Sequence, residues 1–134
     1  VKAVGIGECA GVVIDLVETL FLESEEKIAN ASAALQDELY SDSIYHSYAA
    51  IVNSAKALLL SAQQKTNSHA TIINQFDEVF VANHTIELPD TFGTFVNQIQ
   101  QNEPTATFAK SYLRDAVWFL QQLKTYRKEE LTHA

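Results

Sequence analysis

Hydrophobic residues recur every three or four positions along most of the chain, the spacing of one face of an α-helix. The first stripe comprises Val17, Leu20, Phe21, Ser24, Ile28, Ala31 and Leu35. It predicts one long first helix, with room for a bend at the acidic stretch 23–26. The second stripe comprises Ile44, Tyr48, Ile51, Val52, Ala55, Leu58, Leu59 and Ala62. It predicts a second helix whose start Ser41, Asp42 or Ser43 is suited to cap.

The second half of the chain predicts three more helices. Ser68 is suited to cap the third and Asp90 the fourth, which Gly93 weakens. Pro104 fits the first turn of the last helix. The apolar positions of these helices are, in order, Ile72, Phe76, Val79 and Phe80; Phe92, Phe95, Val96 and Ile99; and Ala109, Tyr112, Leu113, Ala116, Val117, Leu120 and Leu123. The predicted fold is all-α, an antiparallel helical bundle of about five helices joined by short loops.

The first residues form a different pattern. Gly5, Gly7 and Gly11 follow the short apolar run 1–4 and precede the first helix, which resembles a glycine-rich loop that holds a dinucleotide phosphate. Such a loop needs a second strand after the helix, and here the pattern stays helical. We therefore interpret residues 1–10 as a linker or stub from a preceding domain and residues 11–134 as the bundle domain. Cofactor binding at the three glycines is the alternative.

Composition narrows the classes of partner and compartment. Nine basic residues against seventeen acidic ones give a net charge of −8, which disfavours nucleic acid as a partner. The basic cluster Lys124, Arg127 and Lys128 is followed at once by two glutamates. Cys9 is the single cysteine, which is typical of a reducing compartment, and the chain shows neither a secretory signal nor a membrane-spanning run. We expect a cytoplasmic protein.

Other candidate chemistry is sparse. The four histidines share no ligand spacing, so no metal site is predicted, and no cofactor is expected in this fragment. Trp118 and Phe119 are adjacent and point to different faces of the last helix. One of them is therefore expected to pack against another layer or a partner, which favours a dimer. A tyrosine-rich edge is a possible groove lining and comprises Tyr40, Tyr45, Tyr48, Tyr112 and Tyr126.

The segment from Ser43 to Leu60, SIYHSYAAIVNSAKALLL, resembles the second helix of HEPN domains. The order that follows is also similar: a histidine-containing linker, a helix ending in Phe76 and Phe80, a short helix, and a long last helix with alanines and aromatics. The resemblance covers residues 24–128 and implies a helical bundle that is commonly dimeric. It also implies one of two activities, since the family contains ribonucleases and non-catalytic partners of nucleotidyltransferases and other enzymes.

Catalytic HEPN domains carry an arginine followed four to six residues later by a histidine. Arg127 and His133 have the right gap and are the candidate catalytic pair. They lie at the extreme C-terminus, however, where a helix end frays and a general acid–base group is poorly fixed. The preferred interpretation is a solvated helix end, and a HEPN-type ribonuclease or nucleotide-binding domain is the alternative.

Residues 1–27 resemble the junction in bacterial nitrite/sulfite reductase-type proteins that end in a HEPN domain. This resemblance implies a C-terminal domain of a larger sulfite or nitrite reductase, whose sirohaem and 4Fe–4S cluster would be bound upstream. We therefore interpret the chain as a non-catalytic interaction module that forms a homodimer or docks on its parent enzyme. A small-ligand-binding bundle, with an apolar cavity between the second and fifth helices, is a third possibility.

Overall fold

The computed structural model describes the backbone of residues 2–64, 66 and 68–133 and the side chains of residues 14–64, 66 and 68–132. Its helices are α1 (Lys2–Gln36), α2 (Tyr40–Ser61), α3 (His69–Phe76), α4 (Phe92–Val96), α5 (Gln98–Gln101) and α6 (Ala106–His133). A π-helical turn at Asp77–Val81 continues α3. Every regular element within the described residues is helical, so the predicted all-α bundle is confirmed.

The long helices α1, α2 and α6 build the frame of the bundle. Helices α1 and α2 are antiparallel, because the Ser43 hydroxyl donates to the Ala31 carbonyl at 2.8 Å and the Asn53 side chain donates to the Leu20 carbonyl at 3.0 Å. Helix α6 packs against both of them, and an ion pair joins its Lys124 to a glutamate of α1. Helix α2 therefore has one face in the core and keeps another for solvent.

An aromatic cluster fills the space between α6 and the shorter helices. Phe76 packs on Phe92 with ring centroids 4.5 Å apart, and Phe92 stacks on Phe119 at 5.4 Å. Phe119 is fully buried, whereas Trp118 is 44% exposed with its ring edge-on to Phe95. The expectation that these two neighbours face different environments is confirmed.

The start of α4 is fixed by a residue distant in sequence. The Asp77 carboxylate accepts hydrogen bonds from the backbone N–H groups of Phe92 at 2.6 Å and Gly93 at 3.2 Å. The side chain of Thr91 caps the helix by accepting from a backbone N–H one turn on, so the prediction of Asp90 as the cap was wrong. Asp90 instead accepts from the Thr91 N–H at 2.7 Å.

The predicted boundaries hold for some helices and fail for others. Ser68 caps α3 as predicted, accepting from the Thr71 N–H at 3.2 Å. Helix α2 begins at Tyr40, before the predicted cap residues, and Leu39 at its start provides no side-chain cap. The predicted fourth helix is two short helices separated at Asn97, because α4 and α5 are each only about one turn long.

The N-terminal segment corrects another prediction. Helix α1 begins at Lys2, so Gly5, Gly7 and Gly11 lie within a helix, and the strand and glycine loop considered for residues 1–11 were wrong. No observation tests ligand binding at these glycines. The domain boundary after residue 10 falls inside α1 and stays a prediction. Across the described part of the chain, no helix combines the length and the apolarity that crossing a membrane requires.

Candidate functional site: a groove beside Tyr48

A groove of about 290 Å³ lies between α1, α2 and the start of α3, and we call it the Tyr48 groove. It is lined by Lys27, Tyr45, Tyr48, Ala49, Val52, Asn53, Lys56, Thr66, His69 and Ile72. None of these described lining residues is acidic. In a chain with a net charge of −8, the groove is therefore a local surface of positive charge.

One face of α2 forms most of the groove wall. Its lining residues follow one another at intervals of three and four from Tyr45 to Lys56, and such positions lie on one side of a helix. The opposite side of α2 carries Ile44, Ile51 and Leu58, which are buried in the core. Core packing therefore fixes the rotation of α2 and presents the tyrosines and Lys56 outward.

A tyrosine–histidine pair joins α2 to α3 across the groove. The Tyr48 hydroxyl lies 3.0 Å from His69 Nδ1, within hydrogen-bonding distance. Burial, with a smaller contribution from Tyr45, raises the pKa of Tyr48, so the hydroxyl stays protonated at neutral pH. His69 is the first residue of α3, directly after the Ser68 cap. The hydrogen bond to Nδ1 orients the ring and leaves Nε2 as its second polar atom.

The remaining polar groups of the groove differ in how well they are satisfied. Asn53 donates to the Leu20 carbonyl at 3.0 Å and to Ser24 at 3.2 Å, which orients its amide. Thr66 is only 7% exposed, and its hydroxyl has no hydrogen-bond partner among the described residues. Burying a hydroxyl without a partner costs free energy, which makes Thr66 an atypical wall residue.

The structure does not bring the predicted catalytic pair together. Arg127 is 7% exposed on the core-facing side of α6, and its Nη1 donates to Glu130 Oε1 at 3.0 Å. The expected solvated helix end is therefore wrong for Arg127. The side chain of His133 lies outside the described residues. Six residues of helix correspond to about 600° of rotation, so the two positions are roughly 120° apart around α6.

The five tyrosines do not form one edge. Tyr45 and Tyr48 line the Tyr48 groove, while Tyr126 lines a separate groove of about 360 Å³ together with Trp118. Tyr112 is fully buried and donates its hydroxyl to the Val96 carbonyl at 2.9 Å. Among the side chains that the structure describes, no three histidine, cysteine, aspartate or glutamate residues come together as a metal site.

Comparison with known proteins identifies the family. The HEPN domain family model matches residues 17–129, which includes every lining residue of the Tyr48 groove. The chain belongs to the HEPN domain family. It is also similar to a Methanocaldococcus jannaschii protein named "Putative toxin", with 29% identity over 124 residues that cover 86% of this chain and 91% of that protein. No solved structure matches.

These findings separate the two resemblances. The HEPN resemblance is confirmed, whereas the HEPN match begins at residue 17, after most of the segment that resembles a reductase junction. The reductase parent, with its sirohaem and iron–sulfur cluster, stays a prediction. Sequence reasoning missed Lys27, Asn53, Lys56, Thr66 and His69 as groove residues. For Asn53 and Lys56 a signal exists, since they continue the three- and four-residue spacing that starts at Tyr45.

Proposed function

We propose that this HEPN domain binds a nucleotide in the Tyr48 groove. The observation that carries the proposal is the gathering of Lys27, Lys56 and His69 on one concave surface without an acidic residue in its described lining. Within the described residues, the ion pairs involve other cations, at Lys124 and Arg127, so both groove lysines keep their charge for a ligand. Cations and hydrogen-bond donors of this kind stabilise phosphate oxygens.

The groove offers a separate surface for each part of a nucleotide. The ammonium groups of Lys27 and Lys56 attract phosphate, and Tyr45, which is 62% exposed, presents an aromatic ring on which a base can stack. The volume of about 290 Å³ is at the lower end of the range for ligand sites, which suits one nucleotide rather than a longer ligand.

Similarity to a relative named as a toxin supports the ribonuclease or nucleotide-binding side of the HEPN family over an enzyme-docking role. We propose binding and not cleavage, because Arg127 is paired with Glu130 and lines a different surface from the Tyr48 groove. The proposal therefore assigns the ligand to α2 and α3 and not to the C-terminal candidate pair.

Isothermal titration calorimetry with ATP tests the proposal. Because a charge-assisted hydrogen bond contributes roughly 1.5–3 kcal/mol, Lys56→Ala is expected to weaken ATP binding about tenfold or more. Lys110→Ala is the matched control, since Lys110 is an exposed lysine of α6 outside the groove, and it should bind as the wild type does. Absence of ATP binding, or equal affinity of the Lys56→Ala variant, contradicts the proposal.

Association is a second candidate function, favoured by large apolar side chains that stay exposed on α1 and α6. These are Ile14, Leu16, Leu22, Trp118 and Leu131, with exposures between 39% and 59%. Exposed apolar surface of this kind is typical of contacts with a second copy or another protein. Sedimentation of the purified chain tests self-association: a dimer at micromolar concentration supports it, and a monomer at every concentration argues against a homodimer.

A further inference from the structure

Two hydroxyl groups are buried without a hydrogen-bond partner among the described residues, those of Thr66 and Ser47. Their positions differ in one respect that matters for binding. Thr66 lines the Tyr48 groove, whereas Ser47 is fully buried on the opposite side of α2 and lies outside that lining. A buried hydroxyl that bonds to nothing lowers stability, so its presence in a ligand groove points to a partner supplied by the ligand.

The chemistry of the Thr66 hydroxyl limits which part of a nucleotide it can bind. Phosphate charge is met by Lys27 and Lys56, and a neutral hydroxyl adds little to that attraction. A threonine hydroxyl both donates and accepts one hydrogen bond, and a ribose hydroxyl does the same. The two groups are therefore matched donors and acceptors, whereas a deoxyribose lacks the hydroxyl at the 2′ position.

We propose that Thr66 is a specificity-determining residue of the Tyr48 groove, and that it hydrogen-bonds the ribose 2′-hydroxyl so that ribonucleotides bind more tightly than deoxyribonucleotides. This inference rests on the proposed nucleotide binding. Thr66 Oγ1 has almost no solvent-accessible surface, so the side chain turns toward the ligand as it enters. A site that pairs with a ligand hydroxyl rejects the analogue that lacks it, because the protein group is then left unpaired.

The corresponding argument fails at Arg127, whose Nε is also buried without a partner in the described part of the chain. The surface beside Arg127 includes Glu18, and its guanidinium is already paired with Glu130. An added anion would meet both carboxylates. The Tyr48 groove has no acidic side chain among its described lining residues, so it is the more favourable place for a nucleotide.

The test compares ATP with 2′-deoxy-ATP by calorimetry on four proteins: the wild type and the variants Thr66→Val, Thr66→Ser and Ser47→Ala. Wild type is expected to bind ATP about tenfold more tightly, the effect of one hydrogen bond. Thr66→Val keeps the shape of the side chain but removes the hydroxyl, so it should bind both nucleotides with the weaker affinity. Thr66→Ser and Ser47→Ala should keep the preference for ATP.

Thermal unfolding supplies an independent readout. Thr66→Val and Ser47→Ala each remove an unpartnered buried hydroxyl, so both are expected to unfold at a temperature equal to or above that of the wild type. Equal ATP and 2′-deoxy-ATP affinity in the wild type, or a preference that survives in Thr66→Val, overturns the role of Thr66 while nucleotide binding stands. If wild type binds neither nucleotide, the proposed function itself fails.

Discussion

Replacing Asp77 with alanine removes the carboxylate that holds the start of α4. Asp77 accepts from the Phe92 N–H at 2.6 Å and the Gly93 N–H at 3.2 Å, and both bonds are partly buried. A helix of five residues is too short to persist without tertiary contacts. Because α4 carries the buried rings of Phe92 and Phe95, its displacement also disturbs the aromatic cluster.

The magnitude follows from the two hydrogen bonds. A hydrogen bond to a charged group contributes roughly 1.5–3 kcal/mol. Taking the bond to Phe92 in full and the longer one to Gly93 at half gives about 3 kcal/mol, and water that reaches the freed N–H groups lowers the loss toward 2 kcal/mol. For a domain of this size that loss corresponds to a fall of roughly 10 °C in the unfolding midpoint.

Urea unfolding followed by circular dichroism measures this loss. Asp90→Ala is the control, because Asp90 makes one exposed hydrogen bond, to Thr91, and should cost no more than about 0.5–1 kcal/mol. Asp77→Asn, which keeps one acceptor without the charge, should fall between the two. If Asp77→Ala and Asp90→Ala lose the same free energy of unfolding, the assigned role of Asp77 is refuted.

Two further predictions concern buried polar groups. Arg127→Met should be within about 1 kcal/mol of wild-type stability or more stable, because it replaces an incompletely paired buried charge by an apolar side chain, whereas Glu130→Gln should lose about 1 kcal/mol; urea unfolding checks both, and a loss above about 2 kcal/mol for Arg127→Met contradicts this. Burial raises the pKa of Tyr112 above its ordinary 10.0, so its contribution to stability is full below pH 10 and is lost as pH rises toward the folded pKa. Tyr112→Phe should therefore show a smaller drop in unfolding midpoint between pH 8 and pH 11 than the wild type, and an equal drop would count against that explanation.

The long helices could be predicted from the sequence because each repeats its apolar stripe over several turns. The fourth helix could not be predicted correctly, because its start depends on Asp77, which lies fifteen residues earlier. Nothing local to residues 90–93 signals that contact. The N-terminal glycines misled in the opposite direction, since three glycines favour a loop in isolation while the structure continues α1 through them.

The candidate site was predictable in part. The tyrosine-rich stretch of α2 suggested a groove, and Lys56 belongs to the same helix face as Tyr45 and Tyr48. Thr66 and His69 come from other segments, and their approach to α2 depends on how the chain returns after it. The burial of Arg127 had a readable signal, because it lies four positions after Leu123 on the apolar stripe of α6, where its charge suggested exposure instead.

Nuclear magnetic resonance of the ¹⁵N-labelled chain, titrated with ATP, tests nucleotide binding in the Tyr48 groove most directly. The account predicts that the amide shifts with the largest changes belong to residues of α2 between Tyr45 and Lys56 and to Thr66 and His69. Unchanged spectra at millimolar ATP would contradict it. So would changes confined to the last turns of α6 around Arg127, since these would place the ligand at the other candidate site.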